Sequence, residues 1–170
     1  MVYTFFSSST YRWNLYEQST KSVLKNLCTI IWSSRYEVCK ALSFGYKNVL
    51  QVIQVLSEDN TQQPSTRHEA TSIKKKLEKL EFVFMLKMWT PILNRFDSTS
   101  KTLQSTNIDL SIVVQLYESL EKYILDLREI FDNFLKDSQE LSGKSAFSWE
   151  ETTFYDDSNL IIQFTLEKIK

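Results

Sequence analysis

The sequence predicts an all-α fold, a bundle of about four long amphipathic helices. Only two glycines and two prolines occur among 170 residues, whereas turn-rich β folds need many of both. Apolar residues repeat at three- and four-residue steps along much of the chain, which is the spacing of one helix face. With 42% apolar and 14% aromatic residues the chain can bury a core, and its length suits about one domain.

The first two helices are predicted on either side of residue 30. Helix spacing over residues 10–27 is shown by Trp13, Tyr16, Val23, Leu24 and Leu27. A second helix is expected to begin at Ser34, because Ser34 and Glu37 have the spacing of a capping box, in which each side chain satisfies the other's free backbone N–H. Its apolar stripe passes through Gly45, which would allow a neighbouring helix to approach closely. We expect it to end near Glu58.

A polar loop and a third helix follow. Residues 59–64 are predicted to form the loop, because Pro64 disfavours helix at the residue before it. The helix is expected to begin at a second capping box, Thr66 with Glu69. Its buried stripe comprises Ile73, Leu77, Leu80 and Phe84. Between residues 82 and 92 apolar side chains surround the helix, which predicts the centre of the core, and Pro91 is expected to kink or interrupt the helix just before it.

The last long helix has the most regular spacing. Its apolar seam comprises Leu110, Val113, Tyr117, Leu120, Ile124, Leu127, Phe131 and Phe134. Such a seam fits the interior of a helical bundle, which we favour because three other amphipathic helices need cover; it also fits a coiled-coil surface for a partner helix or a second copy, through residues 110–127. After Gly143 the spacing decays, so residues 141–170 are expected to form a weakly structured tail.

The residue inventory argues against most enzyme chemistries. Gly45 and Gly143 are too far apart for a phosphate-binding loop. One histidine, His68, is too few for a zinc site with two or three His ligands. Cys28 and Cys39 could join it in a metal site, but free or buried thiols are favoured, so no metal and no cofactor are predicted. No apolar run is long enough to span a bilayer, and the first residues do not resemble a signal peptide, so we expect a soluble chain with no membrane partner.

Charge is distributed unevenly along the chain. Residues 1–102 hold 14 basic and 8 acidic side chains, whereas residues 103–170 hold 6 and 13. The basic part includes Arg67, Lys74, Lys75, Lys76 and Lys79, which could neutralise DNA phosphates along one side of the third helix. The alternative interpretation is a solvated helix face.

A succession of short blocks is more specific than any one motif. The blocks are FFSSST (5–10), RW (12–13), WSSR (32–35), TRHEA (66–70), LEFVFML (80–86) with Trp89, SKTLQS (100–105) and IDL (108–110). In this order, over about residues 3–137, they resemble the hAT transposases. The resemblance is greatest to the transposon-derived relatives known as zinc finger MYM-type proteins and as repressor-of-the-inhibitor-of-protein-kinase-like proteins.

The resemblance implies a place for this chain within a larger fold. In that family a large helical insertion interrupts an RNase H-like catalytic domain. By that resemblance residues 1–31 are a leading segment with the first helix, residues 32–140 are the insertion domain, and residues 141–170 are the tail. The family's three metal-binding acidic residues would then lie outside this chain, which implies a catalytically inactive, nuclear fragment. The alternatives are a helical protein-interaction module and a piece of an active transposase.

The resemblance also points to DNA contacts. Trp32 matches the position of a family tryptophan that supports a flipped base beside the transposon end, although Ile30 and Ile31 replace the Thr and Arg that precede it there. Stacking of a base on an indole contributes about 1–3 kcal/mol in single-strand binders. The candidate DNA contacts are therefore Trp32, Arg35, Arg67, Lys74, Lys75 and Lys79. The alternative interpretation of Trp32 is a packing residue.

Overall fold

The computed structural model describes residues 1–20 and 32–144, which form seven α-helices. They are α1 (Val2–Ser7), α2 (Thr10–Thr20), α3 (Trp32–Glu58), α4 (Pro64–Leu77), α5 (Leu80–Leu103), α6 (Leu110–Asp126) and α7 (Phe131–Ser142). No strand occurs in these two stretches, so the all-α prediction is confirmed. Seven helices stand where about four were expected. The predicted helical residues Val23, Leu24 and Leu27, together with Cys28 and residues 145–170, lie outside the described part of the chain.

Both predicted capping boxes are wrong, because each helix already includes its proposed cap. Ser34 lies inside α3, which includes Trp32. Thr66 lies inside α4, which begins at Pro64 with Gln63 as its N-cap. A proline fits the first helical position because the N–H that it lacks would have no intrahelical partner there.

The third predicted helix is two helices, and the break is not at its proline. α4 ends at Leu77 and α5 begins at Leu80, so the predicted stripe from Ile73 to Phe84 crosses a helix junction. α5 continues through Pro91, so of the expected kink or interruption the interruption does not occur. The helix tolerates Pro91 because its neighbours on both sides, including Met88 and Ile92, are held in a core.

The predicted last helix also breaks, between α6 and α7. The N–H of Arg128 donates to the carbonyl of Leu125 at 3.3 Å and that of Glu129 to Asp126 at 3.1 Å, which are the shorter-range bonds of a tightened turn. α6 is capped at its start by Asp109, whose side chain accepts a hydrogen bond from the Ser111 N–H. α7 ends at Gly143 with φ of 70°, a left-handed conformation that favours glycine.

The helices bury two main cores, one against the second half of α3 and one along α5. α3 and α5 run antiparallel, because Trp32 stacks on Phe96 whereas Tyr46 packs with Val83 and Leu86. The amino-terminal core lies among α1, α2, α4 and the second half of α3, with Phe5, Phe6, Tyr16, Ile53, Leu56, Ile73 and Leu77 at its centre. The carboxy-terminal core joins α5 to α6 through Phe84, Met88, Ile92, Phe96, Leu120, Ile124 and Leu127, with α7 packed against it. A smaller cluster of Tyr46, Val83 and Leu86 joins α3 to α5. The predicted enclosure of α5 on several sides is thus confirmed.

One buried cation ties the first helices together. Arg12 on α2 is 9% exposed, and its guanidinium lies 4.6 Å from the ring centroid of Phe5 on α1. The same group is 4.0 Å from the carboxylate of Glu69 on α4. Among the helices described, none is both long enough and apolar enough to cross a bilayer.

Candidate binding surfaces

Within residues 1–20 and 32–144, no three His, Cys, Asp or Glu side chains lie together in a way that could hold a metal ion. Cys39 is a free, half-buried thiol, and burial raises its pKa above the ordinary value. Described residues line two grooves, one of about 210 Å³ between α2 and α3 and one of about 240 Å³ between α1 and α2.

The indole of Trp32 is already stacked on another ring. Its centroid lies 5.0 Å from that of Phe96 on α5, with 24° between the two planes. The guanidinium of Arg35, one turn further along α3, lies 5.5 Å from the indole centroid. Trp32 keeps 39% of its surface exposed. Phe96 stacks on one face of the indole and the Arg35 guanidinium also lies over the ring, so a base could stack on Trp32 only in place of one of these groups.

Four lysines gather at the end of α4. Lys74, Lys75 and Lys76 occupy its last turn, and Lys79 precedes α5; we call these four the lysine ridge. Lys75, Lys76 and Lys79 are exposed, whereas the Lys74 ammonium lies 3.6 Å from the Glu78 carboxylate. Cations in the last helical turn also interact favourably with the helix dipole. The ridge is therefore both a stabilising feature of α4 and an exposed basic patch.

The structure divides the six predicted DNA contacts into separate places. Trp32 and Arg35 lie together at the start of α3. Arg67 donates a hydrogen bond to the Asn60 side chain at 2.9 Å, just beyond the other end of α3. Since α3 has 27 residues, about 40 Å separates these two places. Lys74, Lys75 and Lys79 form a third group at the end of α4, so the six residues do not form one continuous site.

The predicted interaction seam is partly buried inside the molecule. Leu120, Ile124 and Leu127 are 3%, 2% and 7% exposed and belong to the carboxy-terminal core. Because they pack against α5, they cannot also contact a partner, and this part of the prediction is wrong. Leu110 and Tyr117 are 75% and 46% exposed, whereas Val113 is half-buried.

A second apolar row runs along the solvent side of α6. We call it the α6 outer stripe; it comprises Leu110, Val114, Tyr117, Glu121 and Leu125, spaced so that all five lie on one helix face. Its four apolar members are 75%, 49%, 46% and 52% exposed. α6 therefore has two apolar faces, one against α5 and one in solvent. The sequence analysis missed Val114 and Leu125, because it assigned a single seam to this helix.

The surroundings of the α6 outer stripe are acidic. From Asp109 to Asp126 the chain carries four acidic side chains and one basic side chain, Lys122. Glu118 and Glu121 lie beside Tyr117 on or next to the stripe, and both are exposed. At the start of α6, hydrogen bonds from the backbone N–H and the hydroxyl of Ser111 lower the pKa of Asp109, so this carboxylate stays charged at neutral pH. The stripe thus pairs apolar area with negative charge.

Comparison with protein-family models, with curated proteins and with solved structures gives no match to this chain.

Proposed function

We propose that this chain is a transposase-derived helical module of hAT type that acts by binding and not by catalysis. Its main binding surface is the α6 outer stripe. The observation that carries the proposal is the row of four large apolar side chains, each 46–75% exposed, along one face of α6. In the same proposal the catalytic acids of the parent transposase lie outside this chain, and the module works in the nucleus.

The chemistry of the stripe selects the kind of partner. Leu110, Val114, Tyr117 and Leu125 offer about three to four turns of apolar surface, which suits the apolar face of a second helix. Glu118 and Glu121 favour lysine or arginine at the edges of that face, because opposite charges attract and like charges are disfavoured across an interface. The fitting partner is therefore a basic amphipathic helix.

A peptide titration tests this function. A fluorescent basic amphipathic helix of leucine and lysine is titrated with the full chain, and a leucine–glutamate helix of the same length is the peptide control. We expect anisotropy to rise with the basic peptide only, and Val114→Asp to weaken binding at least roughly tenfold by placing a charge in the apolar contact. Gln115→Asp, on the polar side of the same helix, adds the same charge and should leave binding unchanged. Equal loss in both variants, or binding of both peptides alike, would contradict the proposal.

A second candidate function is nucleic-acid binding, favoured by the three exposed lysines within five residues at the lysine ridge. Lysines on one surface bind phosphates without sequence preference and with steep salt dependence. Trp32 could add stacking on an unpaired base if the base replaces the Arg35 guanidinium over the indole.

A duplex with an unpaired end, titrated across a salt series, decides this candidate. Lys75→Glu with Lys79→Glu should abolish binding, and Trp32→Ala should weaken it only when the unpaired end is present. Lys136→Glu on α7 is the matched charge control. If a folded, helical sample does not bind the duplex at low salt, nucleic acid is excluded as a partner.

A further inference from the structure

α3 carries an exposed row that matches the α6 outer stripe in spacing. We call it the α3 outer stripe; it comprises Lys40, Phe44, Lys47, Gln51 and Val55, all of them exposed. Phe44 is 84% exposed, the highest value among the exposed large apolar residues, and Val55 is 51% exposed. Helix spacing puts these five side chains on the face opposite the core, where Val49, Val52 and Ile53 are buried. Phe44 thus has nothing to cover it within the described structure.

The two stripes have the same length. Each has its five members at steps of four, three, four and four residues, so each spans sixteen residues of helix, or about 22 Å from the first to the last member. Two helices with matching rows can pack along the whole row.

Their charges are opposite. The α3 outer stripe contains Lys40 and Lys47 and no acidic residue, and Glu58 follows it at the end of α3. The α6 outer stripe contains Glu121 and no basic residue, and Glu118 and Lys122 lie beside it. An α3–α3 pair brings the Lys47 ammonium groups together in either direction, and a parallel α6–α6 pair brings the Glu121 carboxylates together; both are unfavourable. An antiparallel α6–α6 pair places Glu121 against Val114 and brings no opposite charges together. The complementary arrangement is α3 against α6.

The central pair meets in either helix direction. Lys47 and Tyr117 are the third of five members in their stripes, so they face each other whether the helices run parallel or antiparallel. Glu121 lies one turn from Tyr117, within reach of the long side chain of Lys47. Both stripes are exposed in the same chain, so they do not cover each other within one molecule.

We infer that the occupant of the α6 outer stripe is a second copy of this chain, docked through its α3 outer stripe. This inference rests on the proposed function, since it names the partner of the same α6 surface. Because two different surfaces meet, a pair joined by one such contact keeps one α3 stripe and one α6 stripe unpaired unless the assembly closes. The contact therefore builds either a closed ring or a growing chain of copies.

Charge reversal across the contact tests the inference. Sedimentation velocity of the full chain over a concentration series should show mass increasing above the monomer. Lys47→Glu and Glu121→Lys should each weaken association at least roughly tenfold, because each places like charges in the contact. The double variant, Lys47→Glu with Glu121→Lys, should restore it, since it only exchanges the two signs. Lys75→Glu at the lysine ridge is the control and should associate as the natural chain does.

Phe44→Ser supplies a readout independent of charge. We expect the variant to be a monomer, because it loses the aromatic ring of the α3 outer stripe. Its thermal stability should be unchanged, because the Phe44 ring is exposed in the single molecule. A lower melting temperature without a change in mass would show that the chain itself covers Phe44 and would overturn the inference.

The inference is also overturned if the natural chain is a monomer at every concentration. It is overturned as well if the double variant does not recover association. The proposed function has a separate outcome: a monomeric chain that still binds the basic helical peptide keeps the α6 surface and loses only the second copy as its partner. A chain that neither associates nor binds the peptide loses both.

Discussion

The first four helices and α6 use apolar residues in different ways. In the amino-terminal core Phe5, Phe6 and Tyr16 are wholly buried, because three neighbouring helices enclose them. α6 rests on α5 along one side, and it exposes Leu110 and Leu125 although its spacing is as regular as that of any helix in the chain. This difference shows that helix spacing identifies an apolar face. The number of helices packed against that face decides whether it is part of the core or an exposed contact surface.

The largest effect is expected when an aromatic ring is removed from the amino-terminal core. Phe6 lies 5.3 Å from the Phe5 centroid and 5.0 Å from that of Tyr16. Phe6→Ala should lower the free energy of unfolding by about 3–5 kcal/mol, since it loses buried area and leaves a cavity. Urea denaturation followed by circular dichroism measures this. A loss below about 1 kcal/mol would mean that α1 does not dock on the other helices in solution.

On α6 itself the inner face should be sensitive. Leu120 is 3% exposed in the carboxy-terminal core, so Leu120→Ala should cost about 2–5 kcal/mol. The same urea titration applies. If Leu120→Ala costs no more stability than the truncation of an exposed leucine, α6 does not pack on α5. The distinction between an inner and an outer face of α6 would then have no basis.

Loss of a hydrogen bond between α3 and α4 should lower the free energy of unfolding by less, and the loss should depend on pH. The Tyr46 hydroxyl donates to the Leu77 carbonyl at 2.9 Å, so Tyr46→Phe should cost about 1 kcal/mol. Burial, with the charge of Glu78 adding to it, raises the pKa of Tyr46 from 10.0 to about 12. The folded state therefore holds this proton more tightly than the unfolded state does. The associated stability is complete below pH 10 and is lost as pH rises through about 12.

Unfolding midpoints measured between pH 8 and pH 12 check this sign, with Tyr46→Phe beside the natural chain. The natural chain should lose stability over the upper part of that range more steeply than the variant. Parallel pH curves would show that Tyr46 is exposed to solvent in the folded chain.

The outer face of α6 should be the least sensitive. Leu110 is 75% exposed, so Leu110→Ala should change the free energy of unfolding by no more than about 0.5 kcal/mol. Leu120→Ala is its matched partner, since both remove the same atoms from the same helix. If the two variants lose similar stability in the monomer, the outer stripe is covered by the chain's own residues and is not a binding surface.

Local patterns predicted much of the fold and less of the surface. The start of α2 at Thr10, the end of α3 at Glu58 and the enclosure of α5 follow from spacing and from the polar loop, which are short-range properties. α1 was not predicted, because six residues are too few for a periodic pattern. The breaks at residues 78–79 and 127–130 keep the apolar spacing across the junction, so spacing alone could not show them.

The candidate site shows the same division. Sequence reasoning found Leu110 and Tyr117 but joined them to Leu120 and Ile124, because residues three and four apart lie on one side of a helix and spacing does not show where the neighbouring helix packs. The position of α5 separates these residues into two faces. Likewise, the six predicted DNA contacts come from sequence blocks that follow one another along the chain. The length of α3 separates Trp32 at its start from Arg67, which lies just beyond its end.

The sequence by itself determined that this protein is helical, where most of its helices run and how its charge is divided, because backbone hydrogen bonding, side-chain periodicity and net charge are properties of neighbouring residues. Only the tertiary structure decided which apolar rows are buried. Burial depends on how many helices meet at a face, and residues far apart in the chain set that number. The packing of α5 against both α3 and α6 therefore makes Leu120 part of the core and leaves Leu110 and Phe44 in solvent.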